Sequence, residues 1–373
     1  MRVFVTGGTG MIGTRLIRHL RERQDDVVVL TRRPTEAKER LEGGCTVVEG
    51  DPTRAGGWME AVDECDAVVN LAGENIFNRR WNDEVKTAIR DSRVRGTENV
   101  VQALARAPRD AAGRRKVLVN ASAIGYYGPH GDEELTEADP AGNDFLARVC
   151  MDWENAGRAA EPLGVRVVMI RTGVVLDKTG GALAQLLTPF KWFVGGPVGS
   201  GRQWMSWVHH ADLIGLYAFA LDNNQVTGPV NATASNPVTN KEFSKALGRA
   251  LGRPSFLWTP EFALRLLLGE VAGLVTKGQR VLPNKASGLG YTFRFAGLDA
   301  ALRDILAGSP EAGTRSRGVD DHDHQDGPER TAQQTDQTDR TDRGHPHRHA
   351  HDGDAGRHAP QPADGHATDG VGR

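Results

Sequence analysis

Cysteine is scarce: Cys45, Cys65 and Cys150 are the three in 373 residues, and they lie far apart. An odd, dispersed set supports neither a disulfide framework nor a zinc knuckle, and it fits a reducing cytoplasm. No apolar run approaches the ~20 residues of a membrane span. The sequence opens on an apolar strand with no secretory leader, so a cytoplasmic protein is expected. Neither sign of charge is in excess, with 46 Lys and Arg against 48 Asp and Glu and a net charge of −2. That balance gives no electrostatic case for nucleic acid or for an anionic membrane. No internal repeat is visible. From Ser309 to Arg373 there is no Leu, Ile, Phe, Trp, Tyr or Met, and Val319 and Val371 are the only aliphatic residues beyond alanine. Such a segment cannot bury enough apolar surface to offset its ordering entropy, so residues 307–373 are expected to be disordered. They hold eight of the 12 histidines, among them the tract His345 to His351. Neutral imidazoles bind zinc or nickel. The tract nevertheless reads as a solvated tail with incidental metal affinity, and no metal site is expected.

What the chain does have begins at its first residues. Arg2 to Thr6 reads as a buried strand, Gly7 to Gly10 as a tight turn and Met11 to Arg21 as a helix. Gly7, Gly10 and Gly13 keep a G-x-x-G-x-x-G spacing, with Gly13 small enough for close helix–strand packing. A turn of this kind brings backbone N–H groups and a helix N-terminus up to a phosphate without interfering side chains. Thr6, Gly7, Gly10, Met11, Ile12 and Gly13 are therefore expected at a dinucleotide, although glycines that merely make a turn would look the same. A second strand, Val27 to Leu30, ends in Thr31-Arg32-Arg33-Pro34. An acidic residue here would accept from a free ribose 2′-hydroxyl, whereas guanidinium groups match a 2′-phosphate. Arg32 and Arg33 thus favour NADP(H) over NAD(H). A third strand, Thr46 to Glu49, runs into Asp51, placed to accept from the adenine amino group, though Asp51-Pro52 is also a plain turn signal. A fourth, Ala67 to Asn70, ends in Leu71-Ala72-Gly73, small residues that let backbone approach a cofactor.

Helix and strand alternate further on. Asp83 to Ala107 reads as a long helix, Lys116 to Asn120 as strand five, Phe145 to Pro162 as a helix and Val165 to Ile170 as strand six, with Arg171 at its cofactor-facing end. Gly- and Trp-rich loops follow from Gly180 to Trp207, then helices at Ala211–Leu221 and Lys241–Leu251. Alternation of this kind means an α/β fold, a Rossmann-type doubly wound parallel sheet, with a small substrate-side α+β portion built from the late segments.

The turn Thr6 to Gly13, the strand end Asn70 to Gly73 and Ser92-Arg-Val-Arg-Gly-Thr97 resemble an extended short-chain dehydrogenase/reductase. The blocks Asn120-Ala-Ser-Ala-Ile-Gly-Tyr-Tyr-Gly128, Phe145 to Glu154 and Arg202 to Trp207 resemble, more narrowly, its NAD(P)-binding epimerase-family branch. Residues 253–306, with Leu274 to Pro283 and Gly290 to Phe295, look like the small C-terminal domain of unknown function that this branch carries. The resemblance implies three parts: an NAD(P)-binding domain at 1–252, the family-specific domain at 253–306 and the tail at 307–373. It also implies an oxidoreductase or epimerase acting on an unidentified small carbonyl or sugar-like substrate. By family analogy, the helices from Asp83 and Phe145 would pair in a homodimer.

In that superfamily a Tyr-x-x-x-Lys pair after strand five transfers the proton, and a serine at the strand end orients the substrate oxygen. Ser122 matches the serine. Alignment on Glu154 places Leu146 at the tyrosine, Cys150 at the lysine and Arg93 at a supporting asparagine, so the usual dyad is absent. Tyr126 and Tyr127 then stand as replacement acids, with Arg93 or Arg171 to lower a phenol pKa, while aromatic packing around the cofactor would explain them equally. His209 is expected to reach the site from the substrate side, unless it only contacts a helix N-terminus near Asp212. Trp204 and Trp207 offer stacking surfaces, and Asn75 and Arg79 offer polar contacts to substrate. The competing expectation is a non-catalytic NADP(H)-binding protein that reports redox state to a partner.

Overall fold

Alternation of side chains across two buried faces sets the architecture. In the first strand, β1 (Arg2–Thr6), Val3 and Val5 join one apolar cluster while Phe4, between them, joins the other. A strand covered on both faces belongs inside a parallel sheet. The computed structural model describes residues 1–307 except Asn78, with the side chains of Leu267 and Leu268 also outside the description. The expected disorder of the tail and its histidine tract lies outside the described residues. The sheet's further strands are β2 (Asp26–Thr31), β3 (Thr46–Glu49), β4 (Ala67–Asn70), β5 (Val117–Ala123), β6 (Arg166–Thr172) and β7 (Gly228–Ala232). Their order is β7-β6-β5-β4-β1-β2-β3, and every neighbouring pair is parallel. The chain winds outward in both directions from the β4–β1 pair, which makes the carboxyl ends of those strands the ligand crevice of a doubly wound sheet.

Helices α1 (Met11–Glu22), α2 (Asp83–Arg106), α3 (Phe145–Arg158), α4 (His210–Asp222) and α5 (Asn240–Leu251) cover the sheet and its late extension. Leu16, Ile17 and Leu20 of α1 share one helical face and are fully buried, each worth about 1.5–3 kcal/mol of apolar burial. Two boundaries differ from the sequence reading by three residues or more. α3 stops at Arg158 rather than at Pro162, because Pro162 has no N–H to donate and Gly164 turns the chain at φ 84°. β5 runs on through Ala121, Ser122 and Ala123, whose small side chains pair in register with Ile170, Arg171 and Thr172. β7 has no counterpart in the sequence reading: Pro229 hides it, yet a proline is tolerated on an edge strand that bonds one neighbour only.

The substrate-side portion is built from two-residue and three-residue strands. Trp204–Met205 pairs with Val238–Thr239, Trp207–His209 with Val174–Leu176, and Arg280–Val281 with Glu134–Leu135. The last helix among the described residues, Leu298–Ala307, packs Leu298, Leu302 and Ile305 into one cluster with Phe243 and Leu247 of α5. Every described residue falls in one compact unit.

Candidate functional site

The crevice starts at the turn between β1 and α1. Gly7 has φ 67°, and a Cβ there would stand 2.8 Å from the Leu71 carbonyl, so the turn and the end of β4 touch backbone to backbone. A Cβ on Gly13 would collide with the Gly7 carbonyl and lie 2.7 Å from Gly8 Cα, which is the close helix–turn packing the spacing requires. Gly10 is exposed and precedes a helix N-terminus that no side chain caps. The amides of Met11, Ile12 and Gly13 thus open the helix as free donors, the arrangement that binds a phosphate anion. The Met11 side chain lies beside Gly180, where a Cβ would meet its sulfur at 3.0 Å. Arg15 of α1 holds the loop before Gly180 through buried Asp177, with bonds of 2.5 and 2.9 Å. Burial alone would raise the Asp177 pKa, but Arg15 and Thr179 hold it below the ordinary carboxylate range.

Thr6 corrects one expectation. It is fully buried, donates to Asn70 Oδ1 at 2.6 Å and accepts from the Ala72 amide at 3.1 Å, so it fastens β1 to β4 from beneath and has no surface for a ligand. Asn70 in turn donates to Asn120 at 2.7 Å and to Thr97 at 2.8 Å. This buried polar row fixes the crevice floor; Leu71 and Ala72 are half-buried above it and Gly73 is exposed.

At the end of β2 the two arginines separate. Arg33 pairs with Glu36 at 2.9 Å, whereas Arg32 is exposed and has no hydrogen bond or ion pair among the described residues. Arg32 instead acts at a distance on Asp51. Burial would raise the Asp51 pKa, but two hydrogen bonds from Thr53 and the Arg32 charge bring it down. Asp51 therefore closes its own turn through Oδ1.

At the β5 end a buried polar chain runs through β5, α3, β6, the turn Ile124–Tyr127 and β7. Ser122 Oγ donates to Glu154 Oε1 at 2.8 Å. Arg171 donates to both oxygens of Glu154, at 2.8 and 2.9 Å, and to Tyr127 Oη at 3.0 Å. Tyr127 Oη donates to Asn231 Oδ1 at 2.8 Å. Burial alone would lower the Arg171 pKa, and Glu154 holds it above its ordinary value. Burial pushes the Tyr127 phenol up to about 12, despite the Arg171 charge beside it. Arg171 and Tyr127 are fully buried with every polar group engaged, so neither touches a cofactor, and Tyr127 is no neutral-pH acid; both expectations are corrected. Tyr126 is only half-buried, with the Arg171 guanidinium 3.4 Å above its ring. Leu146 and Cys150 lie on the α3 face toward this strand end: a Cβ on Gly125 would stand 3.5 Å from Leu146 and 3.9 Å from Cys150 Sγ. Burial raises the Cys150 thiol to about 12. Arg93 lies behind Gly73, its guanidinium 5.2 Å from the Trp153 ring, and has no carboxylate within ion-pair range among the described residues. Dense packing around it lowers its pKa, with Cys150 and Glu74 opposing.

The substrate side holds a cleft of about 560 Å³ between the 129–133 loop, Ser200–Trp204 and Thr276–Gly278. Trp204 lines it, with Nε1 donating to Asp132 at 2.7 Å and Arg280 4.7 Å from its ring. Arg202 and Lys277 supply cations that the sequence reading did not name as site residues, although Arg202 opens the Arg202–Trp207 block and Lys277 lies in the Leu274–Pro283 block. Asn75 is exposed and closes a local turn on the Phe77 amide at 2.9 Å. His209 does not reach this cleft. It is buried against Phe295 at 3.8 Å, accepts from the Ala211 amide at 3.0 Å as the cap of α4 and meets Asp304 at 3.1 Å. Burial and neighbouring His210 lower its pKa to about 4 against the pull of Asp304, so it is a neutral structural cap, which corrects its assignment to substrate.

Comparison with known proteins adds the following. The model of the NAD dependent epimerase/dehydratase family matches residues 3–232, and that of a domain of unknown function, DUF1731, matches 259–305. The Arabidopsis thaliana epimerase family protein SDR39U1 homolog, chloroplastic, is 44% identical over 310 residues, covering 82% of this chain and 87% of its own. The crystal structure of human epimerase family protein SDR39U1 (isoform 2) with NADPH superposes with a TM-score of 0.72 at 34% identity. It covers 83% of this chain and 100% of that one. A nucleoside-diphosphate sugar epimerase from Corynebacterium glutamicum matches with a TM-score of 0.65 at 34% identity, over 82% of this chain and 58% of that one. No helix among the described residues is long and apolar enough to cross a membrane.

Proposed function

Because the chain belongs to the NAD-dependent epimerase/dehydratase family and has the extended short-chain dehydrogenase/reductase fold, we propose that it is an NADP(H)-dependent oxidoreductase or epimerase. Its substrate is a small carbonyl or sugar-like compound. The observation that carries this reading is the uncapped α1 N-terminus at the strand switch point, with unpaired Arg32 at the neighbouring strand end. The residues fit a phosphorylated dinucleotide. The Met11–Gly13 amides would hold the pyrophosphate, Arg32 the ribose phosphate and Asp51 the adenine amino group, with the Leu71–Gly73 backbone free to approach the ligand. A bound nicotinamide would supply hydride transfer. The chain's own part there is to orient the substrate and hold the proton. Ser122 is tied to Glu154 and Tyr127 is sealed, so Tyr126 is the phenol left to hold that proton. Support for NADP(H) comes also from the human relative with NADPH, while more distant members of the fold hold NAD.

The second reading, a binder that reports nicotinamide redox state, is favoured by one observation: the α3 face toward the strand end presents Leu146 and a thiol held neutral at Cys150. Calorimetric titration with NADPH and NADH tests the shared premise, and no uptake of either would sink both readings. Incubation of the NADPH complex with a panel of aldehydes, ketones and nucleotide sugars then separates them. Turnover that falls with Tyr126→Phe supports the enzyme; tight NADPH binding with no turnover across the panel supports the binder.

A further inference from the structure

Ten large hydrophobic side chains stand exposed on the described residues, and eight of them belong to two stretches, 192–194 and 256–266. The exposures are high: 75% for Trp192, Phe256 and Phe262 and 80% for Leu266. The two stretches form one face. Gly196 packs so tightly on the Leu257 backbone that a Cβ would lie 2.7 Å from its carbonyl carbon. The Thr259 amide donates to Pro197 O at 3.0 Å, and Thr259 O accepts from Gly199 N at 2.9 Å. Arg253 lies 4.2 Å over the Phe193 ring. Phe262 and Leu266 follow one turn apart on the helix Glu261–Leu268. An apolar patch of this size on a soluble domain marks an interaction surface.

The charge beside it names the partner. From Asn240 to Leu266 the chain carries five cations and two carboxylates, on a protein whose net charge is −2. Both carboxylates are engaged: Glu242 closes the capping box of α5, and Glu261 pairs with Arg265 at 2.7 Å. Lys245, Arg249 and Arg253 line an open cleft of about 390 Å³ with no carboxylate among its lining residues. Arg249 is held by Asp299 at 2.8 Å, which leaves Lys245 and Arg253 for an incoming anion. Two other occupants fit poorly. A second copy seated face to face would set cation against cation. The chain beyond Ser309 has no Leu, Ile, Phe, Trp, Tyr or Met to cover an aromatic face.

We propose that this face docks the protein on an anionic membrane surface. The Trp, Phe and Leu side chains enter the interfacial layer, and Lys245 and Arg253 hold the phosphate of an anionic headgroup. Aromatic and leucine side chains flanked by cations are the chemistry of such peripheral docking. A net charge near zero conceals it because the cations are local. The test is co-sedimentation of the full chain with vesicles of mixed phosphatidylglycerol and phosphatidylcholine, and with phosphatidylcholine alone, with NADPH affinity as the measure of intact folding. The chain is expected to sediment with the anionic vesicles and to be released as salt rises from about 0.05 to about 0.5 M. Phe262→Ser with Leu266→Ser should weaken partitioning roughly tenfold or more, since two exposed apolar side chains no longer leave water. Lys245→Glu with Arg253→Glu should remove the preference for the anionic lipid. Absence of binding, or binding that neither pair of substitutions alters, overturns the proposal. So does light scattering that shows a dimer dissolved by the Phe262/Leu266 pair, because the face would then join two copies.

Discussion

Removing the Arg32 guanidinium is the sharpest perturbation of the cofactor reading. The side chain is exposed and unpaired, so Arg32→Ala breaks nothing in the free protein and its effect is confined to the ligand. A charge-assisted hydrogen bond to a phosphate contributes about 1.5–3 kcal/mol, and an exposed fork that makes two of them falls in the same range after solvent screening. That converts to NADPH affinity weakened by roughly 10- to 150-fold with NADH affinity unchanged, since NADH lacks the ribose phosphate. Arg33 supplies an internal control. Its guanidinium already holds Glu36 at 2.9 Å at the exposed end of the strand, so Arg33→Ala should cost NADPH binding less than a few-fold. Calorimetric titration of both variants with both coenzymes gives the four affinities needed. Equal losses for NADPH and NADH in Arg32→Ala, or an Arg33→Ala effect as large, would refute the assignment of Arg32 as the phosphate reader.

Three further outcomes follow from the geometry. Gly13→Ala should abolish coenzyme uptake and lower thermal stability by at least about 1–3 kcal/mol, because its Cβ meets backbone that has no room to move; unchanged titration and melting curves would show that the turn is looser than described. Tyr127→Phe should destabilise the fold by about 1–3 kcal/mol, leaving Arg171 Nη1 and Asn231 Oδ1 without their hydrogen bond to the phenol, yet keep coenzyme affinity intact; a drop in affinity with no change in melting would return Tyr127 to the binding surface. His209 gives the pH dependence. Its folded pKa of about 4 lies below the unfolded value, so the stability tied to the neutral ring is fully present above about pH 6.5 and is lost as pH falls toward 4. His209→Asn, which keeps a capping side chain, should flatten that loss in denaturant titrations between pH 7 and 4, and an unaltered slope would disprove it.

The parts of the site that were legible in the sequence are local ones. Gly7, Gly10 and Gly13 act within one turn, and Arg32 follows its strand directly, so spacing alone located them. The parts that were illegible are made by tertiary closure. Tyr127 meets Asn231 across 104 residues, and Ser122 meets Glu154 across 32. No local pattern distinguishes a phenol that faces solvent from one sealed by such partners. Thr6 shows the same limit inside the best-read motif, since its neighbours approach the crevice while its own hydroxyl turns into the floor. His209 was legible as a contact to the helix N-terminus near Asp212, the alternative to a substrate role, and that contact is the one it makes. The aromatic face was invisible because its two stretches lie 60 residues apart and its cations vanish into a balanced total.

Leu146, Cys150 and Glu154 follow one another at intervals of four, so they form a single stripe of α3 running from the crevice inward. If α3 is aligned with the superfamily on Glu154, the first two positions are those of its tyrosine and lysine, a phenol and the cation that acidifies it. Here those positions are apolar or neutral, and the charge sits one turn deeper, where Glu154 and Arg171 neutralise each other out of reach of any ligand. The exchange also redirects Ser122. A hydroxyl that donates to Glu154 has its proton committed, so it can accept from a substrate but cannot polarise a carbonyl by donating to it. An oxyanion developing at this strand end would therefore need another cation. Arg93, packed behind Gly73 and donating to the Ile89 carbonyl at 2.9 Å without a carboxylate partner among the described residues, is the guanidinium we propose for it. A permanent cation that stabilises negative charge without giving up a proton suits hydride chemistry in which the proton comes from Tyr126 or from water. On that alignment, the neutral face at Leu146 and Cys150 and the lack of a carboxylate beside Arg93 among the described residues belong to one rearrangement.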